Sequence, residues 1–324
     1  MNWDDLSKSV LAGKPCGREE AQAILASSDD ELLSVLQAAF RIRFTYWGRG
    51  VRLHKLENAK SGMCRENCSF CSQAIGAQSG VDRYRMESVE ELVAGAEKAH
   101  EAKAVKYCMV TATRGPSKSE LATVCEAVRR IKKEKPIQVC TSLGLLTEDQ
   151  AVELKAAGVD RYNHNLETSR RHYPEVCQTH TYDDRVATLK AAKKAGMELC
   201  CGGIVGMGET AEDRVEMAMA LRELEVESIP VNFLDPRPGT PLADVPRLTP
   251  SDCLRTLCMF RFANPSREIR AAGGREVCLR HLQVLSLYPA NSIFTEGYLT
   301  TGGNELNQDV AMIEDAGFVV EEED

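Results

Sequence analysis

At 324 residues, with 43% hydrophobic and 27% charged side chains, the chain has the make-up of a folded globular protein of about two domains or one α/β barrel. A formal charge of −8 argues against a general nucleic-acid binder, and no apolar run nears the roughly 20 residues of a membrane span. The polar start MNWDDLSKSV is no signal peptide, so a cytoplasmic protein is expected, in which thirteen cysteines point to metal or thiol chemistry rather than disulfides.

Residues 17–48 read as two helices, Ser28 capping a segment with Leu32, Leu33, Val35, Leu36, Ala39 and Phe40 at helical spacing. Short apolar runs follow at 51–56, 105–111, 137–142, 161–166, 199–205, 229–234, 268–272 and 292–295. Amphipathic stretches at 87–103, 117–134, 147–157, 183–196, 210–225, 250–263 and 275–287 separate most of them. This alternation is the signature of βαβ units, and eight candidate strands without a break predict an α/β fold, a (β/α)8 TIM-type barrel. The expected organisation is an N-terminal helical extension over 1–48 and a barrel over 49–324, with a frayed acidic tail from Val319. In such a barrel, chemistry belongs at the C-terminal ends of the strands and in the loops that follow.

Cys64, Cys68 and Cys71 form C-x3-C-x2-C just after the first candidate strand. Three thiolates on one short loop suit three corners of a [4Fe–4S] cluster and leave one iron open, whereas a zinc site would want a fourth nearby Cys or His. Cys108, Cys140 and Cys200 are distributed differently, each inside a candidate strand. One buried cysteine is ordinary core filling, but three at comparable depth converge on the lumen and predict a second cluster. Cys16, Cys125 and Cys253 read as helix packing residues, while Cys177, Cys201, Cys258 and Cys278 stay unassigned. Strand alternation turns Cys201 away from Cys200 unless a bulge intervenes near 202–203.

The C-x3-C-x2-C loop resembles that of the radical S-adenosylmethionine superfamily, and Phe70 matches its usual aromatic residue. The segments YNHNLET (162–168), GGIVG (202–206), IPVNF (229–233), RAAGGRE (270–276) and ANSIF (290–294) narrow the resemblance to the biotin synthase family, over roughly residues 30–320. That resemblance implies Cys64, Cys68 and Cys71 as ligands of the cluster that binds S-adenosylmethionine. It implies Cys108, Cys140, Cys200 and Arg270 as ligands of an auxiliary [2Fe–2S] cluster. It further implies Arg185 at the methionine carboxylate, Asn165 and Glu167 at the ribose, and Asn163 and Asn232 at dethiobiotin. The residue types suit these roles: guanidinium grips a carboxylate bidentately, and an amide offers both donors and an acceptor to a cyclic urea. Asn163 and Asn165 read equally as strand-end caps, Glu167 as a surface ion pair and Arg270 as a buried charge balancing thiolates. Arg65 and Glu167 stand where the family often has Pro and Asp, and the extra thiols Cys177, Cys201 and Cys278 raise a larger, four-iron auxiliary cluster as an option.

The implied reaction inserts sulfur into dethiobiotin to give biotin. A deoxyadenosyl radical abstracts hydrogen and the auxiliary cluster supplies the sulfur, with no side-chain acid or base. The resemblance also implies a homodimer and reduced flavodoxin or ferredoxin as electron donor. The alternatives are another barrel enzyme of the superfamily, like a hydrogenase maturase or methylornithine synthase, or a non-catalytic iron–sulfur or zinc protein. GGIVGMG at 202–208 is no nucleotide loop, because it lacks the Lys-Ser/Thr ending.

Overall fold

The computed structural model describes residues 1–321. Three helices come first: α1 (Trp3–Leu11), α2 (Arg18–Leu25) and α3 (Leu32–Trp47). The strand–helix series then runs β1 (Gly50–Lys60), α4 (Val89–Glu101), β2 (Lys106–Thr111), α5 (Lys118–Glu134), β3 (Gln138–Ser142), α6 (Glu148–Ala157) and β4 (Arg161–Asn163). It continues with α7 (Tyr173–Val176), α8 (Tyr182–Lys194), β5 (Glu198–Cys200), β6 (Gly203–Val205), α9 (Ala211–Glu223), β7 (Ser228–Phe233), α10 (Pro250–Ala263) and β8 (Glu268–Ala271). The chain closes with α11 (Arg275–Leu279), β9 (Ser292–Phe294), α12 (Leu306–Asp315) and β10 (Val319–Glu321).

Five barrel helices start with the same chemistry. Ser88, Ser117, Thr147, Thr181 and Thr210 each accept from the backbone three residues on, where Glu91, Glu120, Gln150, Asp184 and Asp213 reach back to the cap. This reciprocal cap satisfies donors the first turn would otherwise leave unpaired, and it fixes where each helix starts. All strand pairs are parallel, and β9 pairs with β1 to close the ring. Carried round the barrel, the pairing that starts at Asn58 comes back to β1 at residue 50, eight positions earlier, which is the stagger of a TIM-type barrel.

Several expectations need correction. The two helices expected over 17–48 are present as α2 and α3, but a further helix, α1, precedes them, and Cys16 lies buried in the link between α1 and α2 rather than in a helix. The fifth barrel stave is split into β5 and β6 because Gly202 passes against β7: a Cβ there would sit 1.8 Å from the Pro230 carbonyl oxygen. Residues 275–287 are one short α-helix followed by a 3-10 helix. The tail is not frayed from Val319. Val319–Glu321 pair with the start of β1, where Glu321 accepts from Arg52 Nη2 at 2.7 Å, while the acidic end at 322–324 lies outside the described residues. Among the described residues no helix is long and apolar enough to cross a membrane.

Candidate active site

The barrel's C-terminal mouth opens into a cavity of about 290 Å³ whose lining includes both cysteine trios. The loop after β1 brings Cys64, Cys68 and Cys71 to this wall. It is folded on itself by Cys71 N–H to the Cys68 carbonyl (3.1 Å) and Ile75 N–H to the Glu66 carbonyl (2.9 Å). It is also pinned from outside: Ser69 N–H donates to the Val176 carbonyl at 2.9 Å, and the Asn67 side-chain oxygen accepts from Gln178 and Thr179 N–H. Burial pushes the free Cys71 thiol up to about 11.

The second trio is a product of strand register. Leu56 on β1 pairs with Cys108 on β2, which pairs with Cys140 on β3; Asn163 on β4 pairs with Cys200 on β5. The three sulfurs form one buried cluster bordered by Leu56 and Val110. Asn163 Nδ2 donates to Cys200 Sγ at 3.2 Å, and Arg270 Nη1 to the same sulfur at 3.7 Å. Hydrogen bonding to Cys108 and burial hold the free Cys140 thiol well above its ordinary value.

Around and below this trio lies a buried charged layer. Glu268, 1% exposed, binds Arg270 Nη2 and accepts from Ser228 Oγ at 2.7 Å; His54 Nε2 lies 3.2 Å from it and Arg161 Nη1 3.4 Å. Arg161 also grips Glu198 through Nε and Nη2, at 3.0 and 2.7 Å. Burial pulls Arg270 down, but Glu268 and Cys200 outweigh that and keep its guanidinium charged. Sequence reasoning reached Arg270 and missed Glu268, Arg161, His54 and Lys106. For Glu268 and Lys106 the signal was present: each lies two positions from Arg270 or Cys108 inside an otherwise apolar strand and so shares that residue's face.

The wall between the two trios holds the polar residues singled out in the sequence. Arg185 Nε donates to Tyr173 Oη at 2.6 Å, and its Nη1 to the Asn165 carbonyl at 2.8 Å and Glu167 Oε1 at 3.3 Å. Asn165 also accepts from Gly202 N–H at 3.1 Å. Glu167 is no surface ion pair: it is 7% exposed and sits at φ +68°, a left-handed conformation costing about 1–3 kcal/mol that side chains tolerate where the surroundings enforce it. Asn232 is spent on backbone, donating to the Gly203 carbonyl at 3.0 Å and accepting from Gly273 N–H at 2.9 Å. It lines the cavity beside Asn163, Phe70 and Tyr298.

The extra thiols do not join the auxiliary trio. Cys201 turns to the opposite face and packs in the core between barrel and helices. Cys278 lies against Cys253 and donates to the Leu234 carbonyl at 3.5 Å. Cys177 sits behind the other trio, its sulfur 3.7 Å from Cys68 Sγ and 3.3 Å from His180 Nδ1. The larger auxiliary cluster therefore draws no ligand from them in this geometry.

Residues 60–221 match the Radical SAM superfamily, and residues 230–319 the Biotin and Thiamin Synthesis associated domain. A biotin synthase of Salinibacter ruber is 55% identical over 98% of this chain and 88% of its own. One of Geobacillus thermodenitrificans is 52% identical over 99% and 96%. Among solved structures, a methylornithine synthase superposes with a TM-score of 0.84 at 20% identity, covering 98% of this chain and 97% of that one. An FeFe-hydrogenase maturase of Carboxydothermus hydrogenoformans does so with 0.82 at 18%, covering 98% and 78%. At such identities the likeness to these two shows the fold.

Proposed function

The chain belongs to the biotin synthase family of radical S-adenosylmethionine enzymes, and from that premise we propose that it converts dethiobiotin to biotin by inserting sulfur at two carbons. The observation that carries this reading is the pair of thiol trios, one on a loop and one on strands, lining a single cavity. The donor sets fit the implied groups: three thiols on a half-buried loop and three fully buried on strands, with the unpaired Nε of Arg270 beside the second set. Cys64, Cys68 and Cys71 would hold a [4Fe–4S] cluster; Cys108, Cys140 and Cys200, completed by Arg270, would hold the auxiliary cluster. When bound, these groups and S-adenosylmethionine supply the deoxyadenosyl radical at one end of the cavity and the inserted sulfur at the other.

The side chains position and shield. Arg185, fixed by Tyr173 and the Asn165 carbonyl, holds the methionine carboxylate; Asn165 and Glu167 meet the ribose. Asn163, between the trios, offers its amide to the cyclic urea, while Asn232 holds Gly203 and Gly273 in place around the same space. Leu56, Val110, Ile204 and Phe294 line the cavity with apolar surface that keeps water from a reactive carbon radical. No side chain is asked to act as acid or base. Family membership supports a cytoplasmic homodimer receiving its electrons from reduced flavodoxin or ferredoxin. The test is an anaerobic incubation with dethiobiotin, S-adenosylmethionine and a reductant, read by mass. Biotin with deoxyadenosine and methionine is expected; deoxyadenosine without biotin would refute the substrate.

A further inference from the structure

Cys177 is a buried nucleophile that the reaction does not use. It lies in the short segment between α7 and α8, 4% exposed, in hydrogen-bonding contact with the sulfur of Cys68 at 3.7 Å. The contact is built rather than accidental. Asn67 Oδ1, from the cluster loop, accepts from the Cys177 thiol at 3.5 Å and from the next two backbone N–H groups at 3.0 and 3.2 Å. Ser69 N–H bonds to the Val176 carbonyl, so residues on both sides of Cys68 are tied to residues on both sides of Cys177. His180 Nδ1 lies 3.3 Å from the Cys177 sulfur and 2.5 Å from Glu66, closing a polar wall behind the pair. Cys68 itself lines the cavity, so a small solute in the mouth reaches it first.

We propose that Cys177 is a resolving thiol for Cys68, converting oxidative damage at the cluster loop into a reversible disulfide. The oxidant is a hydroperoxide, hydrogen peroxide being the simplest. Once the loop has lost its iron, the Cys68 thiolate attacks one peroxide oxygen, breaking the O–O bond to give a sulfenic acid and hydroxide. The Cys177 sulfur then displaces the sulfenic hydroxyl, forming the S–S bond. Two thiols and one peroxide become one disulfide and two waters; each sulfur gives up one electron and each peroxide oxygen gains one. The sulfurs need to approach by only about 1.7 Å to reach bonding distance, a side-chain rotation in a segment whose backbone is already tied to its partner. Without a resolving partner a sulfenic acid proceeds to sulfinic acid, which thiols do not reverse.

The proposal takes from the functional reading only that Cys68 is metal-bound until oxidised, and the test keeps the two apart. The anaerobically purified holoenzyme is treated with hydrogen peroxide until its visible absorbance is gone. It is then alkylated, cut with trypsin and chymotrypsin, which separate Cys68 from Cys64 at Arg65 and from Cys71 at Phe70, and mapped without reduction. The expected result is a Cys68–Cys177 cross-linked peptide as the main form of Cys177. Cys177 recovered as an alkylated free thiol, or linked elsewhere, overturns the proposal. In parallel, Cys177→Ser enzyme bleached in the same way should carry sulfinic Cys68. It should also regain several-fold less cluster absorbance than the wild type after dithiothreitol, iron and sulfide; equal recovery overturns the proposal. A purified protein with no iron–sulfur absorbance at the outset would instead refute the cluster assignment, and the peroxide-treated chain would still report on the pairing.

Discussion

Replacing Glu268 by Gln tests whether the charged layer of the barrel is built around a single anion. The carboxylate is 1% exposed and is the shared partner of Arg270, Arg161 and His54, with Arg52 Nη1 3.6 Å from its second oxygen. Burial alone would push this carboxyl up; His54, Arg161 and Arg270 outweigh it and hold the group well below the usual carboxylate range. Glutamine keeps the shape but removes the charge that three guanidinium groups share, so the cost is that of breaking a buried ion pair from one side, about 3–5 kcal/mol. Because the folded pKa is depressed, the stabilisation is fully present above the unfolded value of about 4.3 and is lost as pH falls through the folded one. The wild-type advantage should therefore be flat from about pH 5 to 8 and shrink only in acid. Urea unfolding of the metal-free chain, followed by circular dichroism, measures it. In the cluster-loaded enzyme the deficit should be smaller, since anionic thiolates beside Arg270 offset the surplus cations. A loss below about 1 kcal/mol near neutral pH, the scale of an exposed pair, would refute the reasoning.

Cys68→Ala should abolish deoxyadenosine formation from S-adenosylmethionine, whereas Cys140→Ala should retain it and lose biotin formation; chromatography of both products separates the two trios. Asn163→Ala should raise the KM for dethiobiotin about tenfold, the worth of one to two hydrogen bonds, without changing substrate-free cleavage of S-adenosylmethionine. Arg185→Lys keeps the charge but loses the Tyr173 and Asn165 hydrogen bonds, so affinity for S-adenosylmethionine should fall in equilibrium binding while the thermal midpoint changes little. Gly273→Ala would place a methyl 3.0 Å from the Tyr298 ring and 3.1 Å from Asn232 Oδ1. The overpacking should cost about 1–3 kcal/mol in a denaturant titration and slow biotin formation through the displaced Asn232 amide.

What the sequence disclosed depended on whether the signal was local. Cys64, Cys68 and Cys71 are close enough in sequence for spacing alone to declare a shared centre, and the eight apolar runs declared the barrel. Cys108, Cys140 and Cys200 were harder, because only register brings them together, yet each lay at a matching depth in its own strand. Cys177 stayed unassigned because its partner is 109 residues away and its placement follows from Asn67 and the end of α7, which no periodicity encodes. The split of the fifth stave had a legible cause in the Gly202–Gly203 pair. The strand at Val319–Glu321 did not: three residues with an acidic end carry no strand signal until β1 offers its free edge.

Charge placement links the two halves of the site. The chain is acidic overall, at −8, yet Lys106, Arg161 and Arg270 are all buried at the base of one cavity with Arg52 beside them. Burying so many cations against one fully buried carboxylate is costly unless further negative charge arrives, and the nearest candidates are the sulfurs of Cys108, Cys140 and Cys200. Free, the Cys140 and Cys200 thiols stay protonated: hydrogen bonding among the trio and burial hold both well above their ordinary values. A thiolate-ligated group would supply the missing charge, and the cations would hold it deep in strands that cannot move apart. The other trio sits on a loop, backed by the Glu66–His180 pair and Arg185, at the mouth where a charged nucleoside must enter and its products leave. One end of the cavity is thus built to retain its group and the other to exchange what binds there, as a reaction joining a soluble radical source to a resident sulfur source requires.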